Sequence, residues 1–222
     1  MSNVFTGKYW SIQRFISGFS NNAFLITCNR TNKSIIIDNP ADPNELIKAA
    51  SDTEVEAIFI THGHRDHVEG YEDVSGSFDV PIGVGQDDRG SLPDSADTAI
   101  DVATGNTTFV GDIALKSMAT PGHTPGSTCY LLESPESKDA GEQAHVFTGD
   151  TLFPGGPGKS SSHEALKQIL SSLETHIFSL PDSVAVLPGH GDFTTIADSK
   201  QEYAVFTAKP LDPSLYGDVA WA

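Results

Sequence analysis

The stretch AIFITHGHRDHVEG, residues 57–70, decides the reading: an apolar run stops abruptly in three histidines and an aspartate packed within residues 62–67. The chain has only eight histidines in 222 residues, so their concentration here needs a chemical reason. In an extended segment, side chains two residues apart point the same way, so His62 and His64 can present both imidazoles to one ion. Asp66 and His67 are neighbours and cannot share that direction in an extended chain. If the backbone bends into a helix there, they serve a second ion beside the first. Zinc and similar borderline metals take imidazole nitrogen and carboxylate oxygen, and a catalytic site keeps one position for water. The competing reading of HGHRDH alone is a histidine-rich surface turn. Gly63, which permits a tight turn, and the buried strand leading in weigh toward a metal site.

Working outward, the first forty residues alternate short β-rich runs (KYWSIQRFI, NAFLITC, SIIIDNP) with polar turns, the pattern of an antiparallel meander. DPNELIKAA follows as a helix, with Asp42 as its cap and Pro43 at its first position, before the buried strand VEAIFIT. Residues 80–117 read as short strands (VPIGV, TAIDV, TTFV, IALKSM), and STCYLLE and AHVFTGD add two more. SPESKDAGEQ, between these last two, reads as an exposed hairpin loop. Residues 162–177 form a helix with apolar positions at 166, 169, 170, 173 and 177, and VAVLPGHG ends a further buried strand in a turn. Two strand-rich halves, each with helices to cover one face, predict two packed sheets with helices outside: an α+β fold with four αββα layers. No linker divides the chain, so residues 1–222 are read as one domain.

Three further residues stand at comparable strand ends: His123 in TPGHTPGS, Asp150 in VFTGDTLF and His190 in VLPGHGD. A fold delivers side chains at such places to a shared rim. His145, His163 and His176 lie within strand or helix text and read as ordinary core or surface residues.

Composition narrows the partners. Thirty acidic residues against 13 basic ones give a net charge of -17, which repels a phosphate backbone and argues against nucleic acid. The N-terminal MSNVFTGKYW has no signal-peptide pattern and no later apolar run approaches membrane-spanning length, so a cytoplasmic chain without membrane partners is expected. Cys28 and Cys129, both in apolar strand text, are expected as buried reduced thiols. GPGKS ends like a phosphate loop, but Phe153 stands where the pattern requires its first glycine.

THGHRDH followed by PGHTPGS, FTGDTLF and PGHG resembles the metallo-β-lactamase superfamily, in family order and across nearly the whole chain. That resemblance implies the αββα sandwich and two divalent cations, zinc foremost with iron or manganese as alternatives. It implies one cation held by His62, His64 and His123, the other by Asp66, His67 and His190, and Asp150 bridging the two. It also implies that Asp38, in IIIDNP, supports the ligands from behind; the alternative is a turn residue ending a strand.

Within the superfamily the motifs resemble the glyoxalase II group, hydrolases of glutathione thioesters. The Gly-rich turn of GDTLFPGGPGKSSSHEAL then places Lys159 as a substrate-binding residue. The group has an aromatic residue two places later, where this chain has Ser161, and a C-terminal helical domain for which the residues after His190 leave no room. The expected activity is therefore hydrolysis of a small thioester or related acyl compound by a metal-bridging hydroxide, which Asp66 orients while Asp150 sets the metal spacing. The alternatives are a mononuclear iron persulfide dioxygenase, a lactonase or β-lactamase of the same fold, and a non-catalytic metal-binding module. The acyl group, the leaving thiol and the oligomeric state are left open.

Overall fold

The structure is a computed structural model and describes residues 1–18 and 20–221. The first sheet has six strands in the order β1-β2-β3-β4-β5-β6: β1 (Ser2–Thr6), β2 (Trp10–Ser17), β3 (Asn21–Cys28), β4 (Lys33–Ile37), β5 (Glu54–Phe59) and β6 (Ile82–Gly83). Helix α1 (Asn44–Ala50) crosses from β4 to β5, which therefore pair in parallel. Two short helices follow β5, α2 (Arg65–Val68) and α3 (Tyr71–Ser77).

The second sheet also has six strands, in the order β14-β13-β10-β9-β8-β7. They are β7 (Thr107–Val110), β8 (Ile113–Ala119), β9 (Thr128–Leu132), β10 (His145–Gly149), β13 (Ala185–Pro188) and β14 (Thr194–Thr195). Helix α4 (Pro135–Asp139) sits between β9 and β10, and a two-stranded ribbon, β11 (Leu152–Phe153) and β12 (Gly156–Pro157), follows β10. Helix α5 (His163–Ser172) crosses to β13, which pairs in parallel with β10, and α6 (Ile196–Thr207) follows β14.

The central strands explain why the sequence shows continuous apolar runs there rather than alternation: both of their faces are buried. In β4, Ile35 and Ile37 point between the sheets while Ile36 joins the layer of α1 and α3. In β5, Ala57 and Phe59 point inward and Ile58 outward. The sheets meet through edge-on aromatic pairs, Phe24 with Phe147 at 5.0 Å and Phe59 with Tyr130 at 5.1 Å between centroids. The outer face of the second sheet is covered by α5, whose Leu166, Ile169 and Leu170 are buried with Leu173 and Ile177 of the π-helical turn that continues it. The four αββα layers are as expected.

Several local expectations change. Pro43, not Asp42, is the N-cap of α1; Asp42 takes φ +54° and its side chain caps nothing. TAIDV contributes only a bridge from Ile100 to Gly83, and VPIGV only the two residues of β6. SPESKDAGEQ contains a helix, because Ser134 at the N-cap and Ser137 in the first turn form a reciprocal capping box, with Pro135 at the first helical position. Strand β1 and helix α6 were not anticipated. Among the described residues no helix is long and apolar enough to cross a membrane. Cys28 and Cys129 are free and buried.

Because β4 and β5 run in parallel, as do β10 and β13, the carboxyl ends of all four strands come to one rim. There stand Asp38 after β4, His62 after β5, Asp150 after β10 and His190 after β13. Strand β8 runs the same way as β10, being antiparallel to their common neighbour β9, and delivers His123 to the same edge.

Candidate metal centre

Seven side chains converge at this rim in three overlapping groups: His62, His64 and His123; His62, His67 and Asp150; and Asp66, His67 and His190. Within each group the candidate donor atoms lie within 4.8 Å of one another. In the first, His64 Nδ1 is 3.2 Å from His62 Nε2 and 2.9 Å from His123 Nε2. In the last, His190 Nε2 is 3.2 Å from both His67 Nε2 and Asp66 Oδ2. The chain does bend as Asp66 and His67 require: α2 is a single turn that carries both.

Asp150 lies between the two sets. Its Oδ2 is 4.0 Å from His62 Nε2, 3.6 Å from His123 Nε2 and 3.5 Å from His190 Nε2, and its Oδ1 is 3.4 Å from His67 Nε2. Oδ1 is buried and makes no aligned hydrogen bond among the described residues.

The outer nitrogens of three of the rings are tied to the protein, which decides what their inner ones can do. His123 Nδ1 donates to the Lys159 carbonyl at 2.8 Å, and His67 Nδ1 donates to Asp38 Oδ2 at 2.9 Å. His62 Nδ1 is 3.2 Å from Thr61 Oγ1, which in turn donates to Asp38 Oδ2 at 2.8 Å. In the neutral rings each Nε2 then carries a lone pair, and these lone pairs face one another. Clustered imidazole lone pairs with interleaved carboxylates form a donor set that fits divalent cations.

Asp38 thus touches His67 directly and reaches His62 through Thr61. It is 1% exposed, and its Oδ1 also accepts from the Thr61 backbone N–H at 2.8 Å. Its φ of +60° is unusual for a residue other than glycine, and it aims the carboxylate back under the rings.

Burial opposes protonation of His67, but Asp38 and Asp150 outweigh it and raise the pKa to about 10. Burial, with His67 beside it, pushes His62 well down, and burial also lowers His123. Burial would raise Asp150, but His190 and His67 hold it well below the usual carboxylate range; Asn21 and His67 likewise lower Asp66 against its burial. A cation held by His67 Nε2 would compete with a proton for that lone pair.

Lys159 reaches the centre through its backbone carbonyl. Its side chain is 69% exposed, with the ammonium 3.8 Å from Oδ2 of Asp218, a residue near the C-terminal end of the described chain.

Sequence reading passed over several supports. Asn21 Nδ2 donates to Asp66 Oδ2 and to the Asp66 carbonyl, both at 3.0 Å. Asn22 Nδ2 donates to the Pro188 carbonyl at 2.8 Å, and Arg14 Nη2 to that of Gly191 at 2.6 Å, bracing the turn that carries His190. Asp88, in a 3-10 turn over Gln86–Ser91, accepts from Gly63 N, Gly126 N and Thr124 Oγ1. Gly63 is required by close approach: an added Cβ would meet Ser91 Oγ at 2.9 Å and Asp88 Cβ at 3.1 Å. The only signal in the text was polar residues in turns, which is not specific.

Comparison with known proteins agrees with this architecture. Residues 16–190 match the sequence profile described as the metallo-beta-lactamase superfamily. The probable hydroxyacylglutathione hydrolase glo2 of Schizosaccharomyces pombe is 34% identical over 199 residues, covering 86% of this chain and 71% of that protein. A metallo-beta-lactamase structure from Staphylococcus aureus superposes with TM-score 0.75 at 29% identity; the match covers 88% of this chain, which spans 62% of that one. The structure of ETHE1 from Myxococcus xanthus superposes with TM-score 0.71 at 26% identity, over 86% of this chain and 81% of that one.

Proposed function

The chain belongs to the metallo-beta-lactamase superfamily, and on that premise we propose that it is a metal-dependent hydrolase cleaving a small thioester or related acyl compound at a two-cation centre. The observation that carries this reading is Asp150, one carboxylate facing ring nitrogens of both histidine sets. One cation would be held by His62, His64 and His123, the other by Asp66, His67 and His190, with Asp150 shared; zinc suits this mixture of imidazole and carboxylate, with iron or manganese as alternatives. The chemistry such cations supply when bound is polarisation of an acyl carbonyl and acidification of a water toward neutral pH.

The protein's own groups do the rest. Asp38 fixes the tautomer of His67 directly and that of His62 through Thr61, so both rings present a lone pair inward. Lys159 does the same for His123 through its carbonyl. Asp66 stays ionised on the acid side of neutrality, and Asn21 holds its carboxylate at the mouth of the site, where it can orient a water and accept its proton. The exposed Lys159 ammonium is placed to attract the anionic remote end of a substrate against an otherwise acidic surface. The similarity to a probable hydroxyacylglutathione hydrolase supports the thioester class.

A second reading rests on a specific geometry. His62, His123 and Asp150 Oδ2 alone form a two-histidine, one-carboxylate group of the kind that suits a single iron, as in a persulfide dioxygenase. Elemental analysis of the purified protein, followed by a panel of thioester, lactone, β-lactam and persulfide substrates, separates the two. Two ions per chain with thioester hydrolysis supports the hydrolase. One iron per chain, with oxygen consumed alongside a persulfide, overturns it.

A further inference from the structure

His62 and His64 stand on one loop and His123 on another, and their three nitrogens can face one point only if the two loops keep a fixed separation. Asp88 lies between those loops. It is 7% exposed and, among the described residues, forms no ion pair. Its charge is met instead by three donors: Oδ2 accepts from the Gly63 N–H at 2.7 Å and the Thr124 hydroxyl at 2.6 Å, and Oδ1 from the Gly126 N–H at 3.0 Å. Gly63 sits between His62 and His64, and Thr124 directly follows His123. Gly126 leaves room for the carboxylate, since a Cβ there would come within 2.6 Å of Asp88 Cγ, and Gly63 leaves room for the turn, since a Cβ there would meet Ser91 Oγ at 2.9 Å.

The turn that carries Asp88 is itself anchored. Arg89 spends its guanidinium on Thr98 Oγ1 and the carbonyls of Leu92, Asp94 and Ala96, and Ser91 Oγ donates to the Asp88 carbonyl. The His123 loop is closed on itself by Thr124 N donating to Ser127 Oγ at 3.1 Å. A buried carboxylate held in place by its own turn, and accepting charge-assisted hydrogen bonds from two ligand loops, fixes their spacing far more stiffly than water or neutral groups would.

We propose that Asp88 is a positioning residue that clamps the loops of His62, His64 and His123 into register, and so sets the affinity of that cation selectively. Among the described residues Asp88 makes no hydrogen bond to Asp66, His67 or His190; the first two follow His64 on the same segment but sit on α2, with Asp66 held by Asn21, and the turn of His190 is braced by Asn22 and Arg14. The inference rests on the two-cation reading above.

The test uses the whole protein loaded with zinc, titrated with a competing chelator, and the cobalt(II)-loaded protein, whose visible absorption reports the ligand geometry of each site. His64→Ala identifies the equivalent bound by the His62, His64 and His123 group. Asp88→Asn and Thr124→Val should weaken that same equivalent by about 10- to 100-fold and reduce its cobalt absorption, leaving the other within about twofold. Thr124→Ser, which keeps the hydroxyl, should stay near wild type. A folded Asp88→Asn protein that holds both equivalents as tightly as wild type, or releases both alike, overturns the clamp; should that variant not fold, Thr124→Val decides by the same criteria. Fewer than two equivalents in the wild-type protein would overturn the two-cation reading itself, a separate and recognisable failure.

Discussion

The two halves of the centre are built differently. The His62, His64 and His123 half is made of rings alone, carried on loops whose backbone is tied to one buried carboxylate, Asp88. The Asp66, His67 and His190 half mixes rings with a carboxylate side chain that is 50% exposed, and its supports are amides and a guanidinium from the β2–β3 hairpin. The halves differ in what braces them and not in exposure, since each has one buried and one exposed member. A water or substrate entering from solvent therefore meets a ligand of each half, His64 of the first and Asp66 of the second.

Asp150 is what the halves share, so its removal should have the largest effect. Asp150→Ala should lower both metal content and turnover, the latter by about a hundred- to a thousandfold, because two cations at close range need an anion between them. Full metal content and undiminished kcat in this variant would mean that the halves work independently.

Asp38 comes next, since it supports both halves from below. Asp38→Ala leaves His67 buried beside an empty space and His62 without its Thr61 relay. We expect roughly 10- to 100-fold weaker binding of both cations and a loss of about 3 kcal/mol in stability. Chelator titration and urea unfolding check this, and weakening confined to one cation would show that Asp38 serves a single half.

His145 sharpens the contrast by standing outside the centre. It is buried at the start of β10, edge-on to Phe5, and burial lowers its pKa to about 4. A histidine whose folded pKa is depressed binds more protons when unfolded, so its contribution is whole above about pH 6.5 and is lost as pH falls toward 4. The loss should reach about 2–3 kcal/mol. Urea unfolding at pH 7 and pH 4.5 should show a smaller pH difference for His145→Leu than for wild type; equal differences would remove His145 from the acid sensitivity.

The smallest effect belongs to the rim. Lys159→Ala should raise KM about tenfold for an anionic thioester, with kcat and neutral substrates nearly unchanged, the pattern of lost uniform binding. The carbonyl that orients His123 survives this substitution. Unchanged kinetics on an anionic thioester that the enzyme turns over would confine residue 159 to its backbone role.

The sequence by itself determined the four layers and the convergent residues, because both signals are local. Apolar runs flanked by turns mark strands buried on both faces, and a histidine or aspartate directly after such a run is delivered to the sheet's rim whatever the rest of the chain does. The adjacency of Asp66 and His67 made a second ion conditional on a helical bend, and α2 supplies that bend. Only the tertiary structure decided what holds those residues in place. Asp88 is a polar letter in a turn, 25 residues from Gly63 and 38 from Gly126. Asn22 is separated by 166 residues from the Pro188 carbonyl it supports. Asp38 read equally well as a turn residue until the packing of β4 beside β5 brought Thr61 and His67 onto its carboxylate. Hydrogen bonds between distant segments leave no periodicity in the chain, since each depends on where two loops end after the sheets have packed.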